Sequence, residues 1–588
     1  MPRHSLAILL ASLFITLSVP AGAVFKAPPT AKVEPGQAEP FCNSGAPPEW
    51  RQAQTIEGVT IQESRSCNPD NPNDIAAFVK GTNNISMETL MDTSNVAADT
   101  LTLTNDIDKD GDPDHYVIKL EIMEVNGHSP DFPGVVPTFD IAPGIQPSFW
   151  VFTPKSRDMS TRSFASAEAN PLLRMPSPPI RVEQGDVVWL VVENSHYFPH
   201  SIHLHGVDHP FMDHSGEGND GVGQTSEMDI MPGQSKTYVI RPRQAGTMYY
   251  HCHVQPHTHI AMGLAGMFIV EENRPNNWPQ VFNVGAGQVR HPSAAVQEKF
   301  QQEYDLHYQS VDKELHSMPQ SANDVRLVAK KINQEYDMTD ATDDYYLLNG
   351  RAFPYTLRES MIVVSPNEKT KIRILNGHTE HLAMHLHGHK ATETHYDGVP
   401  MNPAAQVTRD VYSMAPAQRL DLALDTTNDG LHSFGSGLWM FHDHTEKAFT
   451  TDGMGEGGSI SLVAYKDYVE ENGTPKSHGM DLKPYFTKEF WQRKLPVWQD
   501  YMDGSLGAPA GTMDTKPGIN SGNEIVPPQA QPAGTTPSAA NVPAPSQDSG
   551  GGLFPGLLLG IAAYLLFQNR EKVLALMGQL PLLNKPKQ

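Results

Sequence analysis

The chain has 588 residues, 39% of them hydrophobic and 19% charged, with a formal net charge of −24 at pH 7. That length accommodates two or more domains, and so acidic a surface speaks against nucleic acid as a partner, because phosphates call for basic side chains. Three cysteines are too few for a disulfide scaffold.

Residues 1–23 (MPRHSLAILLASLFITLSVPAGA) place Arg3 before an apolar run and end in Ala21-Gly22-Ala23. This is the pattern of a secretory signal, so the expectation is export to a periplasmic or extracellular face. Cys42 and Cys67 are free to pair in that oxidising compartment, which leaves Cys252 as the single thiol. Residues 24–110 read as an irregular extension. At its end Asp106-Ile-Asp-Lys-Asp-Gly-Asp-Pro-Asp114 resembles a calcium loop, but position twelve of an EF-hand count is Val117 rather than Glu. An acidic turn before a strand is the competing reading.

From His115, HYVIKLEIMEVNG alternates apolar and polar residues as a strand does. VVWLVVEN, SKTYVI and MFIV follow at turn-separated intervals and predict a β-sandwich over 111–275. Residues 276–339 read as a connector, mostly helical over 297–338. YYLLNG, MIVVSP, KIRILNG, RLDLAL and SISLVAY predict a second β domain over 340–467. Residues 468–549 form a linker, rich in Pro, Ala and Gly from 505 and expected to be disordered there. The apolar run 553–567 (LFPGLLLGIAAYLLF), with Arg570 and Lys572 after it, reads as a membrane anchor over 550–568 followed by a short tail, 569–588. A sorting signal later removed, or an apolar helix docked on a partner, are the alternatives.

The two β domains repeat each other. Ile202-His203-Leu-His205-Gly206 matches Met384-His385-Leu-His387-Gly388 at an offset of 182, and Tyr250-His251-Cys-His253 matches Phe441-His442-Asp-His444 at 191. On a strand, residues i and i+2 share a face, so each His-x-His pair aims two imidazoles at one place. Eight imidazoles exceed the needs of one metal, and neutral imidazole suits copper, zinc and iron. The stretch HCHVQPHTHIAM (251–262) adds a thiolate and a thioether. A thiolate, two imidazoles and a weak Met make a blue electron-transfer copper site; the candidates are His200, Cys252, His257 and Met262. His251 and His253 point the other way from Cys252, towards a second metal cluster, and the peptide bonds between give electrons a short covalent route.

These motifs (His385-Leu-His387-Gly388, His200-Ser-Ile-His203-Leu-His205, His442-Asp-His444 and His251-Cys-His253 with His257 and Met262) resemble those of the multicopper oxidases, in particular the two-domain, laccase-like branch. The resemblance covers roughly residues 115–467. It implies an all-β fold of two cupredoxin-like Greek-key β-sandwich domains. It implies four coppers per chain: a type 1 copper on His200, Cys252, His257 and Met262, a type 2 copper on His203 and His385, and a type 3 pair on His205, His251, His253, His387, His442 and His444. Such an enzyme takes single electrons through His257 and Cys252 and reduces O₂ to water. The donor is a metal ion such as Cu(I), Mn(II) or Fe(II), or a phenolic reductant.

The offsets carry His200, Cys252, His257 and Met262 onto Leu382, Asp443, Ala448 and Gly453, so only the first domain has a blue site. The two-domain branch implies a homotrimer, its cluster formed between the first domain of one chain and the second of the next. Asp443 is a candidate proton donor or anchor. Met228 and Met231 read as packing residues, and His209, His214, His259, His378, His381 and His389 as supporting or surface groups. Two rival readings stand beside the oxidase. A copper nitrite reductase needs only three histidines at its catalytic copper, without the paired set; a copper-binding or electron-transfer protein needs no filled cluster.

Overall fold

The computed structural model describes residues 54–56, 59–61, 96–129, 132–135, 139–156, 173–283, 285–289, 292–471 and 473–492. Among the described residues strand takes 37% and helix 14%, an all-β composition. The first domain opens with β1 (Leu101–Thr104), β2 (His115–Val125), β3 (Phe149–Pro154), β4 (Ile180–Glu183) and β5 (Val187–Asn194). It continues with β6 (His203–His205), β7 (Ser235–Ile240), β8 (Gly246–His251) and β9 (Ala265–Glu271). One sheet runs β7-β5-β2-β1, with β3 also on β2; the facing sheet runs β6-β8-β9-β4. The alternation read in the sequence is what fills the space between them. Tyr116, Ile118, Leu120 and Ile122 of β2 and Val188, Leu190 and Val192 of β5 meet Ile180, Phe268, Val270 and Cys252 in one core.

The second domain repeats the scheme with β10 (Gln302–Val311), β11 (Tyr345–Leu348), β12 (Ile362–Val364), β13 (Lys369–Asn376) and β14 (Leu382–Leu386). β15 (Ala391–Tyr396), β16 (Val411–Met414), β17 (Arg419–Asp425), β18 (Leu438–Asp443) and β19 (Ser461–Tyr465) complete it. The repeat is visible in the registers. β9 lies parallel to β4 with Phe268 opposite Ile180, and β19 lies parallel to β12 with Val463 opposite Ile362. β2 lies parallel to β5, and β10 to β13.

The structure moves three boundaries, one of them the start of the linker read over 468–549, since Tyr485, Phe490 and Trp491 are buried in a core with Phe149 and Tyr345. β1 falls inside the stretch read as irregular, as does the hairpin Gln54–Ile56 with Val59–Ile61. Gln302–Val311, read as helix, is the strand β10; helix is confined to short segments such as Ala294–Gln297, Lys313–Ser317 and Val325–Lys330. Tyr304, Leu306 and Tyr308 of β10 fill the second core. Glu303 and Asp305 on its other face are also buried, so both faces of the strand are covered and its polar residues mislead a reading by periodicity. The leader 1–23, Cys42, Cys67, the spacer from 505 and the apolar segment 553–567 lie outside the described residues. Among the described residues no helix is long and apolar enough to cross a membrane.

A buried ion network joins the two domains. Arg181 of β4 reaches Asp305 (2.6 Å) and Glu303 (3.4 Å), while Arg373 of β13 reaches Glu271 (3.2 Å), Asp421 (3.1 Å) and Glu303. Burial would raise the Asp421 carboxyl, but Lys371 and Arg373 beside it hold it at about 2. A buried network of this kind adds little net stability over apolar packing, but removing one partner leaves a buried charge uncompensated and is costly.

Candidate copper sites

β8 and β18 decide where the ligands point. His203 of β6 stands opposite His251 of β8, and His385 of β14 opposite His442 of β18. Residues facing each other across an antiparallel pair share a face, and i+2 shares it too. His203, His205 and His251 therefore converge, as do His385, His387 and His442; within each trio the nitrogens lie within 4.8 Å of one another. The fourth ring of each set is near: His253 to His203 at 5.3 Å and His444 to His442 at 5.3 Å between centroids.

The two sets are built alike. The Nδ1–H groups of His203 and His385 donate to the carbonyls of Asp220 (2.6 Å) and Asp410 (3.0 Å), which leaves each Nε2 as a lone pair. His251 and His442 donate through Nδ1 to the carbonyls of Cys252 (2.8 Å) and Asp443 (2.9 Å). Their Nε2 atoms then face those of His205 (2.9 Å) and His387 (3.2 Å). Burial lowers His251 to about 3 and His205 and His442 to about 4, so these rings are neutral ligands at ordinary pH. The Nδ1 of His253 is buried and without a hydrogen bond.

Cys252, one residue past β8, turns the other way into the core. Its Sγ lies 3.3 Å from His259 Nδ1 and 3.6 Å from His200 Nδ1, and the three form one buried group. Burial pushes the thiol up to about 12, and lowers His259 to about 3 and His200 well below its usual value. A neutral buried thiol between two neutral imidazoles fits copper, which deprotonates a coordinating thiol. Met262 is buried in the same core.

The structure does not bring His257 to this group. Pro256–His259 is a helical turn entered through Gln255 in the left-handed region (φ 42°). Residues two apart on a helix point about 200° apart, so only one of His257 and His259 can face inward. His259 is the buried one and His257 is exposed. His259 thus takes the place that the motif spacing gave to His257. Asp443 is buried on the core side of β18, in the position Cys252 holds in the first domain. Its Oδ1 accepts from the N–H groups of Ala383 (3.1 Å) and Thr445 (3.0 Å), which makes it an anchor facing away from the imidazoles. Met228 and Met231, read as packing residues, are exposed.

Several contributors escaped the sequence reading. His196 Nδ1 lies 2.8 Å from His200 Nε2, and the Glu124 carboxylate accepts from Trp150 Nε1 (3.1 Å) and lies 3.5 Å from His196 Nε2. Trp150 also sets its ring against His259 at 5.1 Å. Asp220, which orients His203, accepts from His209 Nε2 as well (3.0 Å). No spacing rule marks residues that reach the site from separate strands; the proximity of His196 to His200 was the one available signal.

Family profiles for multicopper oxidase match residues 173–275 and 327–456. Copper resistance protein A of Escherichia coli is 26% identical over 302 residues, covering 49% of this chain and 47% of that protein. Laccase-1 of Melanocarpus albomyces is 27% identical over 258 residues, covering 42% and 34%. The chain thus spans about half the length of these relatives, or less. Among solved structures, the blue copper oxidase from Nitrosomonas europaea aligns with a TM-score of 0.43 and 23% identity over 62% of this chain and 95% of that one. Each half of the chain thus carries a match to a multicopper oxidase domain, and the relatives it is similar to are named for copper resistance and as laccase.

Proposed function

We propose that this enzyme couples one-electron oxidation of a donor at a blue site to four-electron reduction of O₂ to water at a trinuclear site, with four coppers per chain. The observation that carries the reading is the divergence at 251–252: Cys252 enters the core beside His200 and His259, while His251 joins His203 and His205 on the opposite side. When bound, copper supplies the electron transfer and the oxygen chemistry. The chain supplies the rest. Cys252 and the peptide bond to His251 link the two sites. His196 and Glu124 hold His200 in place, and the carbonyls of Asp220 and Asp410 fix His203 and His385. The type 1 ligands in this reading are His200, Cys252, His259 and Met262; the type 2 and type 3 assignments of the eight paired histidines stand as the resemblance implies. Replacing Cys252 by Ser should reduce donor oxidation to background while His251 still folds beside His203; unchanged oxidation would sink the reading.

Half-sites of four imidazoles each suit closure by a second chain. His387 and His444 are exposed in the single chain, which supports a homotrimer whose clusters form between chains. Mixing a His203→Gln/His205→Gln chain with a His385→Gln/His387→Gln chain should then restore oxidation absent from either alone. The proposed donor is a metal ion, Cu(I) first, with Mn(II), Fe(II) or a phenol as alternatives; the relative named for copper resistance supports that order. The leader-like 1–23 and the apolar 553–567 support an exported, membrane-tethered enzyme.

A further inference from the structure

The loop between β1 and β2 brings carboxylate oxygens of Asp106, Asp108 and Asp114 within 4.8 Å of one another. Its shape is explained by its own hydrogen bonds: Asp106 accepts from the N–H groups of Asp110 (3.0 Å) and Gly111 (3.2 Å), and Asp114 from that of Asp108 (3.2 Å). Those bonds do not call for a ligand. What lies beneath the loop does.

Asp112, Asp114, Glu183 and Asp186 are only 1%, 6%, 2% and 0% exposed. Asp186 comes from the β4–β5 turn. Its Oδ2 accepts the Glu183 N–H (2.6 Å), while its Oδ1 is buried with no hydrogen bond. The N–H of the next residue, Val187, donates to the Asp114 carbonyl (2.8 Å), which sets Asp186 at the foot of the loop. Asp110 Oδ2 is likewise buried and unpartnered. The donors that do reach the buried acids are neutral: the Asn277 N–H to Asp112 (2.8 Å), and Asn277 Nδ2 (2.6 Å) and the Arg274 N–H (3.2 Å) to Glu183. Burial together with this crowding raises Glu183 to about 9 and Asp186 to about 8. Burying an unpaired carboxylate costs several kcal/mol, so these groups are either protonated or share a cation.

The donor set chooses the cation. It consists of carboxylate oxygens, which suit a hard ion rather than copper. The loop lacks the closing Glu of an EF-hand, since Val117 lies in β2. Glu183 and Asp186 supply acids from a different part of the chain. We infer that the Asp106–Asp114 loop, closed from below by Glu183 and Asp186, binds Ca²⁺. The ion ties the start of β2 to the β4–β5 turn and to the segment at Asn277.

The test uses the full chain, stripped with EGTA and returned to Ca²⁺ by equilibrium dialysis, with thermal unfolding followed in parallel. Wild type should bind Ca²⁺ saturably with a dissociation constant of roughly 1 mM or below, as extracellular calcium modules do, and its Tm should rise with Ca²⁺. Mg²⁺, which demands a stricter octahedral shell, should raise it less. Asp106→Asn/Asp108→Asn should lose at least about tenfold in affinity, ~1.4 kcal/mol, while unfolding in EGTA at the wild-type Tm or above it, which a misfolded variant would not do. Wild type that binds no Ca²⁺ and unfolds at one Tm in EGTA and Ca²⁺, or a double variant with wild-type affinity, would overturn the inference.

Discussion

His257 and His259 separate what motif spacing conveys from what the backbone decides. Both are histidines within seven residues of Cys252, and the spacing favoured His257. The left-handed Gln255 and the single helical turn from Pro256 rotate His259 inward instead. Helical phase is set by where the turn begins, and a one-turn helix leaves no periodicity in the sequence to reveal it. His259→Gln should therefore abolish the thiolate-to-copper absorption and lower the copper content, whereas His257→Gln should leave the colour intact; the visible spectra of the two variants decide the matter, and the reverse pattern would restore the spacing assignment. The paired histidines were legible because period-two alternation fixes their direction once they lie on strands. Asp443 was legible as a counterpart of Cys252, but its orientation away from the imidazoles needed the register of Met384 opposite Asp443.

At the scale of elements, nine of the labelled strands were legible as short apolar-rich runs between turns, and β10 shows why another was not. β10 is buried on both faces, with Glu303 and Asp305 neutralised by Arg181 and Arg373 from other strands. Charge compensation of this kind has no local sequence signature. Arg373→Met should leave Glu303, Glu271 and Asp421 short of a counter-charge and cost about 3–5 kcal/mol, measured as a lower midpoint in denaturant; a midpoint within error of wild type would show the network to be dispensable. The acidic loop carries a pH prediction. Glu183 near 9 and Asp186 near 8 stand above the ~4 of unfolded carboxyls. A raised group stabilises fully below its unfolded value and loses that contribution as pH climbs through the folded one. Above about pH 7 the buried histidines are neutral whether the chain is folded or not, so in EGTA Tm should fall as pH rises from about 7 to about 9, and Ca²⁺ should flatten the decline; a Tm in EGTA that rises over that interval would contradict the assignment of these acids.

The whole molecule is two copies of one sandwich that have divided the labour. Each keeps four imidazoles at the end of equivalent strands, but only the first keeps a thiol behind them; the second has Asp443 there, hydrogen-bonded to backbone instead. The duplication was legible in the matched His-x-His offsets. Which surfaces meet to complete a cluster was not, since that depends on how copies of the chain associate rather than on the order of strands within one. Copper per chain in fully loaded protein is the deciding measurement. Four coppers per chain would match one blue site and one complete trinuclear site. Two would match the nitrite reductase arrangement and one a simple electron carrier, and either count would contradict an oxidase built from all eight paired histidines.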